Sequence, residues 1–170
     1  MRRENPFIRS GLALAGANRR DGRDGEDGIL TALEASGLDL WGTKLVVLSA
    51  CETGLGEVKN GEGVYGLRRA LVLAGSESQV ISLWQVSDEA TRDLMVAFYK
   101  RLQAGEGRTA ALSAVQLEMI RSNAQAKGGD GRGLTLGSGS KRDRSHPFFW
   151  ASFIQSGDWK SMSGQASKEK

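Results

Sequence analysis

The sequence holds one cysteine, Cys51, and one histidine, His146, the residue types most often paired as nucleophile and base at neutral pH. A thiol with a pKa near ~8.5 is only a few per cent thiolate at pH 7, so attack by Cys51 requires a histidine or a strong local positive field. Sequence separation alone gives no hydrogen-bond reach between the two. His146 precedes Pro147, which holds it extended, so it reads as a structural residue at the entry to a final strand. The residues themselves leave Cys51 open between a small buried hydrophobe and a reactive group. After it, Glu52-Thr53-Gly54-Leu55-Gly56 offers glycine-permitted backbone N–H groups of the kind an oxyanion hole needs. Glu52 and Glu62 either line a cleft there or are ordinary exposed carboxylates. A lone cysteine forms no internal disulfide and has no Cys or His at zinc spacing, which predicts an intracellular, metal-free chain that uses no cofactor.

The elements that must position Cys51 follow from patterning. Lys44 to Ala50 is a valine- and leucine-rich run, the pattern of a strand covered on both faces in a parallel sheet, and Cys51 stands at its carboxyl end. Ligands of open parallel sheets bind outside that end. Cys51 to Gly63 predicts a loop. Val64, Leu67, Leu71 and Ala74 share one face of a helix stopped by Gly75, and Arg68 and Arg69 fall on its solvated side. Gln79 to Trp84 reads as a second buried strand. A helix capped by Ser87 or Asp88 follows, with Leu94, Ala97, Phe98 and Leu102 as its apolar stripe before Gly105. Thr109 to Arg121 gives another helix through Leu112, Val115, Met119 and Ile120. Earlier, Thr31 and Glu34 have capping-box spacing for a short helix ending at Gly37. The aromatic run Pro147 to Ile154 predicts the closing strand.

A chain of 170 residues is long enough for one domain with a core. The reading is one domain over 1–160, with charged, glycine-rich flexible loops at 18–28 and 124–145 and a polar tail over 161–170. The net charge of +3 is spread among neighbouring acids, as in Arg19, Arg20, Asp21, Arg23 and Asp24, which argues against nucleic-acid binding. Met1 to Ala17 is a poor secretory signal, because Pro6, Phe7 and Ile8 interrupt the region that should be charged. No stretch approaches ~18 consecutive apolar residues, so neither a membrane span nor membrane partners are expected and a cytoplasmic location is. No repeat of 20 to 50 residues occurs.

Several ordered pieces together resemble the CHAT family of caspase-like domains that often follow TPR repeats. They are Leu45-Val46-Val47-Leu48-Ser49-Ala50-Cys51-Glu52-Thr53-Gly54, Gly61 to Ala70, Val80-Ile81-Ser82-Leu83-Trp84-Gln85-Val86-Ser87-Asp88-Glu89-Ala90-Thr91, and His146 to Phe153 with Gly157-Asp158-Trp159. Upstream, Asn5-Pro6 with Ser10 to Asn18 and Asp27 to Ala32 match in the same order. The resemblance implies an α/β fold, an incomplete caspase-like sandwich with a mainly parallel sheet flanked by helices.

By the same resemblance Cys51 is the catalytic nucleophile, with Glu52, Gly54 and Asp88 as substrate-binding candidates. Asp88 would favour a basic side chain in the pocket for the residue before the cut; its alternative is a plain helix cap. The family's catalytic histidine lies in a His-Gly pair on an earlier strand, ahead of everything this sequence matches. The resemblance thus implies a truncated, C-terminal portion, inactive alone, whose partners are a protein substrate or regulatory protein, an upstream TPR region, or the N-terminal half that carries the base. The alternative function is a non-catalytic protein-interaction module or remnant. If the opening strands are absent, the remaining ones present an unpaired edge, which predicts self-association.

Overall fold

The computed structural model describes residues 6–18, 27–49, 62–121 and 144–163. Along these the elements run α1 (Pro6–Arg9), β1 (Gly11–Ala13), β2 (Ile29–Thr31), α2 (Ala32–Ala35), β3 (Val46–Leu48), α3 (Glu62–Leu73), β4 (Ser78–Ser82), α4 (Asp88–Gln103), α5 (Arg108–Arg121), α6 (Pro147–Trp150) and β5 (Phe153–Gly157). The α/β class expected from the sequence is the class observed. The chain divides into two compact units. One comprises residues 1–85 with 154–158, and the other residues 86–153 with 159–170.

In the first unit, β1 and β2 pair antiparallel, with Leu12 opposite Leu30. Thr31 then starts α2 through the full capping box. Its hydroxyl accepts from the Glu34 N–H at 3.2 Å, and the Glu34 carboxylate accepts from the Thr31 N–H at 2.8 Å. That reciprocal pair satisfies two backbone donors that a four-residue helix would otherwise leave to water. Ala32 and Ala35 of α2 meet Leu67 and Ala70 of α3 in a buried cluster closed by Phe7, Leu12 and Leu30. Alanines at the contact let the two helices approach closely, and burying Leu67 alone stabilises by roughly 1.5–3 kcal/mol.

The three-stranded sheet has the order β3-β4-β5. β3 and β4 are parallel, with Val46, Val47 and Leu48 opposite Gln79, Val80 and Ile81. Ser156 donates to Gln79, and the Asp158 N–H donates to the Glu77 carbonyl, so β5 runs antiparallel to β4 and the sheet is mixed. All five residues of β4 are buried although three are polar. The side chains of Ser78 and Gln79 both find partners, as burial requires. Ser78 Oγ donates to the Lys44 carbonyl at 2.6 Å. Gln79 Nε2 donates to Ser76 Oγ at 2.7 Å, Gln79 Oε1 accepts from Ser156 Oγ at 2.9 Å, and Ser76 Oγ donates to the Leu71 carbonyl at 2.8 Å. This chain of bonds ties β4 to the end of α3 and to β5. Gly157 has a φ of 89°, and a Cβ there would lie 2.3 Å from the Glu77 carbonyl oxygen.

Two strand expectations need correcting. The run from Lys44 is a strand only over Val46–Leu48, and those residues are half-buried rather than covered on both faces. Its position explains this, since among the described residues β3 has a neighbouring strand on the β4 side alone. The second strand stops at Ser82, leaving Leu83 and Trp84 outside it and exposed.

In the second unit, Ala90, Leu94, Phe98 and Leu102 form the buried stripe of α4, and α5 packs on it with Ala111, Leu112 and Val115. Arg101 near the end of α4 pairs with Glu106 at 2.7 Å and with Glu118 on α5. Met119 is half-buried, and Ile120 lies exposed on the other side of α5. Arg108, fully buried at the start of α5, donates from its backbone N–H to the Lys160 carbonyl and from Nε to Met162 Sδ at 3.4 Å. The Gln116 side-chain amide donates to the Trp150 and Phe153 carbonyls, both at 3.0 Å.

The aromatic run expected as a strand from Pro147 instead forms α6, and the strand begins later, at Phe153. His146 causes the difference. Its extended backbone and its Nδ1, which accepts from the Phe148 N–H at 3.2 Å, make it an N-cap, and Pro147 occupies the first helical position, where a missing N–H costs nothing.

Candidate functional site

The carboxyl edge of the β3-β4 pair is where the sequence locates its chemistry, and the first unit builds that edge from two short apolar strands in parallel register. Leu48 is opposite Ile81, and Ser49 and Ser82 are the next residues on the two strands. Ser49 is exposed and Ser82 is buried. Adjacent strands lie about 4.8 Å apart, so side chains leaving the two strand ends face a common rim. After β4 the chain surfaces at Leu83, 41% exposed, and Trp84, 36% exposed, before burying Val86.

Cys51, Glu52 and Gly54 lie outside the described residues, which stop at Ser49 and resume at Glu62. The side chain of Glu62 is likewise outside them. In α3, Arg68 is half-buried with its guanidinium 5.9 Å from the ring centre of the exposed Tyr65, and Arg69 is exposed.

Asp88 and His146 belong to the second unit. Ser87, not Asp88, caps α4, its hydroxyl accepting from the Ala90 N–H. Asp88 is the exposed first residue of the helix, where its charge complements the positive end of the helix dipole. His146 is exposed, and its Nδ1 accepts from the Phe148 N–H. Two residues earlier, Arg144 reaches α4 and pairs with Asp93 and with Glu89 at 3.8 Å. Hydrogen bonds from Arg144 and then Arg92 hold the Asp93 carboxyl below its ordinary pKa, against a small opposing push from burial. The Ser145 carbonyl accepts from Trp150 Nε1 at 3.0 Å. Together these bonds seat residues 144–150 as a structural turn.

Among the described residues no three His, Cys, Asp or Glu side chains gather as metal ligands would, and no helix is long and apolar enough to cross a membrane. The sequence reading missed the exposure of Leu83 and Trp84, since it carried the strand through Trp84. The signal was present in the sequence, because the three residues after Ser82 end the β-branched pattern of Val80-Ile81.

A family model described as the CHAT domain matches residues 2–158. The mouse protein "Tetratricopeptide repeat protein 28" is 32% identical over 108 residues, covering 64% of this chain and 4% of its own length. The human protein of the same name is 30% identical over 126 residues, covering 74% of this chain and 4% of its own length. The chain therefore spans a small fraction of the curated relatives it matches. No solved structure matches it significantly.

Proposed function

We propose that this chain, which belongs to the CHAT domain family, carries the nucleophile half of a cysteine endopeptidase site centred on Cys51. The observation that supports this most is the parallel β3-β4 pair, whose carboxyl edge leads within three residues of Leu48 to the only cysteine, in a sequence matched to the family from 2 to 158. In this reading a base takes the thiol proton and the sulfur attacks a peptide carbonyl carbon. Backbone N–H groups near Gly54 hold the oxyanion, and the C–N bond breaks as the base returns its proton to the leaving amine. Water then hydrolyses the thioester. The base is the histidine of a His-Gly segment outside these 170 residues, so the chain alone is inactive. Asp88 and Glu52 contact the substrate, and the activity is cytoplasmic.

A second reading, a chemically silent module that binds a protein partner, draws on the engagement of the one histidine in capping α6. The relatives are named for tetratricopeptide repeats, which fits a protein-interaction setting for either reading.

One experiment separates them. A peptidyl electrophile is incubated with the chain alone, with the chain plus a segment bearing the His-Gly strand, and with Cys51→Ala, and adducts are read by intact mass. The peptidase reading expects labelling of Cys51 to accelerate by about 100-fold or more on adding the segment, the lower range of general-base assistance. It also expects Asp88→Asn to erase a preference for a basic residue in the probe. Equal labelling with and without the segment, or none in either, leaves the silent module.

A further inference from the structure

We infer that the exposed face running from α3 to Trp41 is where a second copy of this chain docks, in a two-fold contact centred on the Trp41 ring. The inference stands on the first unit alone and holds under either reading of Cys51. The outer side of an amphipathic helix is ordinarily polar. On α3 it carries Tyr65, Val72 and Leu73, and the stripe ends at Trp41; all four are between 52% and 85% exposed, Trp41 the most. The backbone holds Trp41 there. Leu40, Trp41, Gly42 and Thr43 form a β-turn in which the Thr43 N–H donates to the Leu40 carbonyl at 2.9 Å. Gly42 has a φ of 80°, as the third residue of a type II turn requires. The Leu40 N–H donates to the Ala74 carbonyl at 2.9 Å, which ties the turn to the end of α3, and the Trp41 N–H donates to Asp39 Oδ1 at 3.2 Å. A Cβ on Gly75 would stand 3.3 Å from Cγ and Cδ1 of the indole, so the ring edge rests on the backbone that ends α3. An indole ordered in this way yet left in water is a preorganised anchor, and such tryptophans dominate the energetics of protein interfaces.

Area, charge and shape select a second copy as the occupant. With the exposed Leu38, these side chains present roughly 500–600 Å² of surface, the upper range for the largest patch on a monomer. A symmetric pair covers about 1,000–1,200 Å² from them alone, the lower bound of a specific interface. Around the face, Asp39 and Lys44 flank the turn, Glu77 donates its N–H to the Thr43 carbonyl, and Arg69 lies one helical turn before Leu73. All four are exposed, two of each sign. A strongly acidic or basic partner gains nothing from such a rim, whereas a two-fold axis can set the acids of one copy toward the bases of the other. An isologous contact also needs a knob and a seat on the same surface. Trp41 is the knob. Among the described residues no atom lies within 4 Å of the place a Gly42 Cβ would take, which leaves a seat for the indole of the other copy. The turn precedes the amino end of β3, so the pairing leaves the carboxyl edge of the sheet open.

The test is sedimentation velocity of the whole chain over a concentration series, in reducing buffer so that no disulfide through Cys51 contributes. A monomer–dimer equilibrium is expected. Trp41→Ala should raise its dissociation constant by about 30-fold or more, because a two-fold contact loses the anchor twice, and Trp41→Phe should retain most of the affinity. Leu73→Ser should weaken the dimer in the same direction. Melting temperatures of the three variants at monomeric concentration should match wild type, since the replaced side chains face water. Amide exchange read by mass spectrometry should slow across residues 38–44 as the dimer forms. A monomer at every concentration, a dimer untouched by Trp41→Ala, or slowed exchange confined to Val46–Leu48, which assigns the contact to the edge of β3, overturns the inference.

Discussion

Replacing Gly157 by alanine should cost far more than its one methyl group suggests. Two effects add. The residue sits at a φ of 89°, where an L side chain costs roughly 1–2 kcal/mol. The added Cβ would also stand 2.3 Å from the Glu77 carbonyl oxygen and 2.9 Å from the Ser78 Cα, both backbone atoms of or beside β4, so β5 must move away. That movement stretches the Asp158 N–H to Glu77 bond, now 2.8 Å, worth about 1 kcal/mol. It also pulls Ser156 from the buried Gln79 Oε1, and an orphaned buried acceptor costs roughly 1–3 kcal/mol. The sum is about 3–6 kcal/mol, which at ~2–4 °C per kcal/mol for a chain of this size lowers the midpoint by roughly 6–24 °C. Gly42 supplies the control, because its φ is 80° with no atom within 4 Å of a built Cβ. Gly42→Ala should therefore lose only the backbone part, about 1–2 kcal/mol. Thermal and urea unfolding followed by circular dichroism measures both. If Gly157→Ala melts at or above Gly42→Ala, β5 does not pass Glu77 as described and the reasoning is refuted.

Two further outcomes are expected. Arg144→Ala removes an ion pair between partly exposed groups and should cost only ~0.2–1 kcal/mol at neutral pH. Because Asp93 has a folded pKa below its unfolded 3.8, its contribution is present above about pH 4 and is lost as the pH falls through the lowered value, so wild type and Arg144→Ala should converge in urea titrations near pH 2 and diverge at pH 6. Among the described residues β3 has no strand on the side away from β4, and this edge of three apolar half-buried residues should drive self-association; light scattering that reports a strict monomer at high concentration would contradict this.

What the sequence disclosed was the part set by local periodicity. The helices α3, α4 and α5 were legible because Leu67 and Leu71, Leu94 and Phe98, and Leu112 and Val115 repeat at helical spacing and all proved buried. The capping box at Thr31 is a contact across three residues and was equally readable. The β1-β2 pair was missed, since three-residue strands carry too few positions for alternation and Gly11-Leu12-Ala13 looks like any apolar stretch. The aromatic run from Pro147 misled because aromatic residues favour strands, while a histidine acting as cap through Nδ1 gives little sequence signal. Gly157 was noticed only as part of a family motif, because its constraint is the backbone of Glu77, far away in sequence. Of the site, the end of β3 was legible from Val46-Val47-Leu48. The exit of Leu83 and Trp84 was signalled only by the end of the Val80-Ile81 pattern, while the burial of Ser78 and Gln79 was hidden because it depends on partners as distant as Lys44 and Ser156.

The first unit is discontinuous along the chain, and that sets an order of events at the ribosome. β4 is finished at Ser82, but Ile154, where the unit resumes, emerges only after the whole intervening stretch has been made, roughly 4–15 s later at usual synthesis rates. For that interval β4 keeps an open flank, with the Gln79 side-chain Oε1 still waiting for the hydroxyl of Ser156. A nascent chain stalled in the interval offers neighbouring polypeptides a template for strand addition, which makes this window the point at which a holding chaperone would have most to do.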